Sequence, residues 1–376
     1  MKRIIASLSI IALAVMTFGP ALAVAVVPTV DTGLDRGTGG GAIPIVKAKW
    51  EAKTDGYSDD LTNPGAQFTA PGQWNGTMNY KVCAVVTDPN GMPDIAGVYA
   101  DIYYPTGIAI RDLNPSTDVH RDTNAGTQDH GQGGLGAFIE QNTLLPLSKN
   151  DGYNLFCNNV KNNNNNLPTI YEGYSYDEIC AADGELNKEE AYVYCDPKSL
   201  TYEDPAGLYT VKVTAQDKAG NNSIVRQNNF EYLPLTGFEK DFTAVSYGQV
   251  LLNTHKKISG DLNWSTPNNP SIRNIGNTRL WMKVAQDDMG LGQSSGVWNV
   301  QYDARVGDNI ADWTIYGPSG FKGNTTPSYT QLEDILDLSE MEEMDFSILV
   351  KKWPDANTGY GGSMWLNADS APFRIQ

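Results

Sequence analysis

Residues 77–88, TMNYKVCAVVTD, put Met78, Tyr80, Val82, Ala84 and Val86 on alternate positions, with Cys83 on the opposite parity. A period of two marks a strand buried on one face, and no other feature constrains this chain as strongly. The spacing returns in GLYTVKVTAQDKAGN (207–221), where Leu208, Thr210, Lys212 and Thr214 alternate against Tyr209, Val211, Val213 and Ala215. Ala219-Gly220-Asn221 closes that strand, and SIVRQNNFEYLP (223–234) supplies its hairpin partner. AGVYADIYYP (96–105) reads as another strand, entered through the turn DPNGMPD (88–94). IPIVKAKWEAK (43–53) is strand-like but its phase is ambiguous. With 37 Gly, 20 Pro and 19 Tyr among 376 residues, turns and strands dominate over helix bundles.

The length suggests two domains. Beyond about residue 235 the strand candidates are 242–250, 278–286, 297–306, 311–317, 345–353 and 362–368, separated by Gly, Pro and Asn. The expectation is an all-β chain of two β-sandwiches, 43–234 and 235–376. Residues 106–200 break the first pattern with His, Gly, Asn and Gln and an Asn run at 162–166, so they read as a long insertion. A structureless loop of that length is implausible; YSYDEICAADGEL (174–186) can hold a short helix, and AYVYCD (191–196) looks like a strand.

The N-terminus has an export layout. Lys2 and Arg3 precede the apolar run 4–18, Gly19-Pro20 breaks it, and Ala21-Leu22-Ala23 offers a small-x-small cleavage site. Cleavage after Ala23 leaves a Pro/Gly-rich flexible leader, 24–42, and no membrane span in the mature chain. In an exported chain the four cysteines, Cys83, Cys157, Cys180 and Cys195, read as two disulfides. The pairing expected is Cys180–Cys195, a short loop, and Cys83–Cys157, which would pin the insertion to the sandwich. Zinc held with His120 or His130 is the weaker reading, because no short Cys-x-x-Cys pair exists.

Two segments carry a resemblance. Residues 204–221, Asp-Pro-x-Gly-x-Tyr-x-Val-x-Val-x-Ala-x-Asp-x-Ala-Gly-Asn, are similar to the last strands of prokaryotic immunoglobulin-like and PKD-like surface domains, and 87–107 resembles an earlier hairpin of such domains. Asn274-x-Gly276-Asn277, in 273–284, resembles a strand of extracellular immunoglobulin-like modules, often archaeal. The resemblance implies an envelope protein, makes Tyr209 a core tyrosine near a strand corner, and brings no catalytic residue.

A formal charge of −17 argues against a nucleic-acid partner. Gly292-Gln293-Ser294-Ser295-Gly296 has the spacing of a nucleophile elbow, but a strand follows it and no His lies beyond His255, so a Gly/Ser turn is expected. Asp287-Asp288 and the acidic run 332–345 could supply paired carboxylates or calcium ligands; a solvated short helix or loop is the plainer reading of the run. Residues 182–190 faintly resemble a calcium loop, with Gly184 misplaced for an EF-hand. Calcium in the turns stays open, and no other cofactor is expected. Leu233-Pro234-Leu235-Thr236-Gly237 resembles a sorting signal but lies mid-chain without an apolar tail, which makes it an interdomain linker. Asn75, Asn221, Asn263 and Asn324 are sequons in turns or loops, hence candidate glycosylation sites.

Six of the eight tryptophans fall in the second half. Leu280, Met282 and Val284 claim the inner face of their strand and leave Trp281 outside; Met364, Leu366 and Ala368 do the same to Trp365, whereas Trp298 shares phase with Val300 and Tyr302 and should be buried. An outward Trp281/Trp365 patch could hold a glycan or a protein. The function expected is an exported, non-catalytic structural or adhesive surface protein whose partners are itself or other envelope proteins. The alternatives are a carbohydrate-binding module using outward Trp and an exported hydrolase with a carboxylate pair.

Overall fold

A computed structural model describes residues 41–53, 65–106, 138–160, 170–353 and 360–373. The expected signal peptide, nearly all of the leader, His120, His130 and the Asn run lie outside the described residues. The chain is all-β with two disulfides, and Ile43 onward forms one compact unit.

The strands of the first half are β1 (Ile45–Lys53), β2 (Ala66–Thr69), β3 (Thr77–Thr87), β4 (Ile95–Tyr103), β5 (Phe138–Pro146), β6 (Ala191–Thr201), β7 (Gly207–Asp217) and β8 (Arg226–Leu233). They hydrogen-bond in the order β1-β3-β6-β5-β4-β7-β8-β2, and β2 joins β8 in parallel. The sheet folds back on itself so that β1 packs against β8. Inside lie the alternating residues of every strand, among them Tyr80, Val82, Ile102, Tyr209, Val211 and Phe230. Tyr209 is fully buried and its hydroxyl donates to Pro205 O at 2.8 Å, tying the strand corner down.

The expected insertion, 106–200, is only partly an excursion. β6 pairs with β3 along eleven residues, from Thr77↔Thr201 to Thr87↔Ala191, and β5 lies between β6 and β4. Pro197 and the charges Asp196 and Lys198 obscure the alternation of β6. The true excursion is the short helices Lys149–Tyr153, Tyr176–Cys180 and Glu185–Lys188, which cover the outer face of β1, β3 and β6. Trp50, Phe156, Ile179 and Leu186 form that second cluster. A bulge between Val46 and Ala48 shifts the register of β1 against β3, which is why β1 had no readable phase.

The disulfides are Cys83–Cys195 and Cys157–Cys180, not the pairing expected. Cys83 and Cys195 are register partners in the β3–β6 ladder, with Cα atoms 4.2 Å apart. Cys157 and Cys180 join two helical segments to each other.

The second half contains β9 (Phe238–Lys240), β10 (His255–Ile258), β11 (Ser271–Asn274), β12 (Arg279–Gln286), β13 (Gln293–Ser294), β14 (Val297–Trp298), β15 (Val300–Val306), β16 (Thr314–Tyr316), β17 (Thr330–Leu336), β18 (Met341–Val350) and β19 (Met364–Ala371). One sheet runs β16-β15-β18-β11-β9, with β10 also on β18, and faces the sheet β17-β12-β19 across a core of Leu280, Met282, Tyr302, Phe346 and Ile348. Two expectations fail here. Residues 242–250 are irregular rather than a strand, and the acidic run 332–345 lies in β17, β18 and the turn between them. In the run, Leu332, Leu336 and Met344 point inward among the carboxylates, so acidity hid the strand pattern.

Asn274-Ile275-Gly276-Asn277 fastens the halves. Asn274 Nδ2 donates to Thr278 O and Asp337 O at 2.8 and 2.9 Å. Asn277 Oδ1 accepts from Leu235 N at 2.7 Å, its Nδ2 donates to Leu233 O at 3.0 Å, and its carbonyl accepts from Ala206 N. A Cβ on Gly276 would fall 2.1 Å from Leu235 O, so only glycine lets the linker 233–237 approach. Arg273 of the second half adds a cation–π sandwich, 3.7 Å from the Trp264 ring and 4.8 Å from that of Trp74 in the first.

Candidate functional site

The second half carries a groove of about 540 Å³ between the irregular segment 242–250 and the ends of β18 and β19. Phe242, Tyr247, Met289 and Ile348 line it, and Trp353 and Tyr360 stand at its mouth with ring centroids 6.4 Å apart, stacked at 30°. Trp353 is 43% exposed, in contrast to the buried Tyr247. Gln286, Ser363 and Lys240 place polar groups along the walls; Lys240 Nζ is tethered to Phe242 O at 2.6 Å.

Buried carboxylates hold this groove together. Asp287 accepts from Met289 N at 2.9 Å and from Ser363 N at 3.0 Å, and Asp288 accepts from Gly290 N, Gly292 N and Lys322 N at 3.0, 2.8 and 2.6 Å. At Gly362 a Cβ would lie 1.7 Å from Asp287 Oδ1, so glycine is required where that chain crosses. Beneath them, Tyr302 donates to Asp287 O at 2.9 Å, and Tyr316 donates to Gln286 Oε1 at 3.4 Å. Burial raises the phenols of Tyr247, Tyr302 and Tyr316 above their ordinary value, so all three stay neutral. The adjacent carboxylates Asp287 and Asp288 are thus loop fasteners, spent on backbone N–H groups.

Within Gly292–Gly296, Gln293 and Ser294 form β13 and Ser295-Gly296 is the hairpin turn to β14, both with positive φ. His255 Nδ1 lies 3.1 Å from Ser347 Oγ and 3.0 Å from Asp303 Oδ2. A nucleophilic relay needs serine and carboxylate on opposite ring nitrogens; here both meet the same one. Among the described residues no group of three or more His, Cys, Asp or Glu is placed to hold a metal ion.

Trp281 and Trp365 lie on the outer face of β12 and β19, each half-buried, while Leu280, Met282 and Val284 are buried inward. They are not side by side. Trp281 opposes Asp369 and Trp365 opposes Ala285, which separates them by four residues, roughly 13 Å of strand. The Lys283–Asp369 ion pair stands between. Trp298 is half-buried against exposed Phe321, rather than in the core, because β14 is a short ribbon outside the main sheets. Trp313 lies under Lys257 and Arg305. The exposed platform is therefore Trp353, which the alternation of β12 and β19 could not single out.

Of the sequons, Asn75 and Asn263 are exposed. Asn221 Nδ2 donates to Asp217 at 2.8 Å, and Asn324 Nδ2 donates to Ser319 O and Thr326 O at 3.2 and 3.1 Å. Among the described residues no helix is long and apolar enough to cross a membrane.

No protein-family description and no curated protein matches this chain. Among solved structures it is similar to the C-terminal domain of the Streptococcus pyogenes antigen I/II-family protein AspA, at 14% identity over 88% of this chain and 96% of that one, with a TM-score of 0.24. A chaperone–tip adhesin complex of CFA/I fimbriae biogenesis follows at 7% identity, 89% and 87% coverage and a TM-score of 0.18. An α-L-rhamnosidase from Dictyoglumus thermophilum gives 8% identity, 83% and 27% coverage and a TM-score of 0.17. Superpositions this loose carry no functional argument.

Proposed function

We propose that this chain is an exported, non-catalytic surface protein with a structural or adhesive role, acting through contacts with copies of itself or with other envelope proteins. The observation that carries the reading is the pair of disulfides, one locking neighbouring strands and one locking the helical cover. Such cross-links belong to oxidising compartments outside the cytosol. The export layout of residues 1–23 points the same way. Fractionation of cells with an antibody to the chain, combined with electron microscopy of the native envelope, tests it. Recovery at the surface in an assembly is the expected result; a freely diffusing monomer in the medium would sink the proposal.

A second reading, saccharide capture, is favoured by Trp353 and Tyr360 over the groove. An exposed indole offers an apolar face to a sugar ring, and the wall carries Gln286 and Ser363 for hydroxyl groups. A glycan array with the native protein and with Trp353→Ala separates the two: binding lost in the variant supports capture, and no binding by either leaves the structural role alone. Asn75 and Asn263 are the sequons we propose as glycan acceptors.

A further inference from the structure

Three groups with complementary chemistry meet inside the first sheet. A bulge between Val46 and Ala48 resets the phase of β1, so that Ala48, Trp50 and Ala52 face the helical cover and Lys49 and Glu51 face the main core. Their register partners, Ala84 and Val82, belong to that core. Across it, Asn228 shares the inward parity of Phe230 and Tyr232 on β8. Lys49 and Glu51 side chains are both 0% exposed. Lys49 Nζ contacts Glu51 Oε1 and Asn228 Oδ1, and Asn228 Nδ2 donates to Glu51 Oε2 at 2.7 Å.

An amine, a carboxamide and a carboxyl group form a closed triangle, each touching the other two. As an ion pair it would be expensive to bury, since desolvation can exceed the Coulombic gain. As reactants the same groups are held in contact, away from water. β1 and β8 stand far apart in the hydrogen-bonding order and share no ladder, although they pack together.

We propose that Lys49 and Asn228 become joined by an intramolecular amide bond, formed by the folded chain itself with Glu51 as proton carrier. Glu51 takes a proton from the Lys49 ammonium, and the free pair on Nζ attacks Asn228 Cγ. A new Nζ–Cγ bond forms. The Cγ–Nδ2 bond then breaks with its electron pair staying on nitrogen, while a second proton passes from Nζ through Glu51 to Nδ2. One ammonia leaves, is protonated as ammonium by the proton first taken up, and Glu51 returns to its carboxylate. Lysine ammonium and asparagine carboxamide give a secondary amide and one ammonium ion; no oxidant is needed. The bond joins residues 179 apart in sequence and closes the edge of the sheet that no ladder closes.

A neighbouring trio shows what the reaction requires. Lys198 Nζ contacts Asn142 Oδ1 and lies 2.6 Å from Asp196 Oδ2, but the Lys198 and Asp196 side chains are 14% and 20% exposed. Asn142 Nδ2 is buried with no hydrogen-bond partner, so no carboxyl serves the leaving nitrogen there.

Peptide mapping of the native, fully reduced protein by mass spectrometry tests the proposal. The expected product is a branched peptide containing Lys49 and Asn228, lighter than its two parts by one ammonia, and faster migration of the reduced chain than of Lys49→Met on a denaturing gel. Glu51→Gln should carry the full mass, with Lys49 and Asn228 in separate peptides. Recovery of the two unmodified peptides from the native chain would overturn the bond. This measurement does not depend on whether any variant folds. A branched peptide formed equally well in Glu51→Gln would overturn the role of Glu51.

Discussion

The two halves of the molecule differ in whether covalent bonds help to hold their irregular segments. The first, β1–β8, has two disulfides, Cys83–Cys195 across a ladder and Cys157–Cys180 within the helical cover, beside buried Asp204 and Asp217, which accept from Thr201 N and Asn221 N at 2.7 Å. The second, β9–β19, contains no cysteine and uses buried carboxylates that accept backbone N–H groups. Half-buried Asp241 takes Ser271 N at 2.8 Å and Thr266 N at 3.2 Å, and buried Asp345 takes Gly260 N at 2.7 Å. Asp287 and Asp288 do the same beside the groove. A disulfide constrains chiefly the unfolded chain, whereas a buried carboxylate acts only in the native state and only while its partners stay in place. Reductant should therefore act on the first half and leave the second unchanged.

The largest effect should come from Cys83→Ala combined with Cys195→Ala. The pair closes a loop with a sequence separation of 112, for which the chain-entropy model gives about 5 kcal/mol. Hydrogen exchange read peptide by peptide should show lost protection over 45–233 and little change over 238–371. Equal loss in both halves would break the comparison. Next, Arg279→Met should cost about 3–5 kcal/mol, because it leaves Asp337 buried without its ion-pair partner. The Arg279 and Asp337 side chains are 4% and 9% exposed, and Arg279 Nη1 also donates to Pro372 O at 3.1 Å. Chemical denaturation should place this loss in the second half; a change below about 1 kcal/mol would show the pair to be dispensable.

What could be read from sequence follows the same division. β7, its closing turn and the inward face of β12 were legible because one face of each strand meets an apolar core and the period of two survives. Of β6 only 191–196 was, because Pro197 and Lys198 interrupt the alternation beyond it and its cover is supplied by helices distant in sequence. The disulfide pairing depends on the β3–β6 register, which loop length does not reveal. The Lys49, Glu51 and Asn228 trio was hidden for a related reason. Lys-Ala-Lys-Trp-Glu reads locally as a strand of ambiguous phase, and Lys49 and Glu51 meet Asn228 only when the sheet closes on β8. Trp353 was passed over because it lies beyond the end of β18, where alternation no longer applies.

A smaller effect tests how the halves are joined. Asn277→Ala removes the side-chain bonds to Leu233 and Leu235, at about 1–2 kcal/mol. Calorimetry should show the two halves unfolding further apart in temperature than in the native chain. A uniform shift of one transition would mean that the contacts among Arg273, Trp74 and Trp264, rather than Asn277, carry the coupling.

The smallest expected effect is a change of slope with pH. Glu340 accepts from Asp337 N at 2.5 Å in the turn between β17 and β18. Burial, reinforced by Asp337, Glu342 and Asp334, pushes its carboxyl up from 4.5 to about 8. Below about pH 4.5 the group is protonated in both folded and unfolded chains and stability does not depend on it. Between there and about 8 the native state holds a proton that the unfolded chain has released, so stability falls as pH rises; above that window the loss is complete. Asp261 works in the opposite sense and at lower pH: bonds from Asn263 and Thr266 hold it below its ordinary 3.8, so its contribution disappears on acidification. Glu340→Gln keeps an acceptor for Asp337 N and cannot ionise. Denaturation of the variant between pH 5 and about 8 should show a flatter profile than the native protein, with the gain greatest at the alkaline end. Parallel profiles would place the pH dependence on other groups and remove the turn between β17 and β18 from the contrast between the two halves.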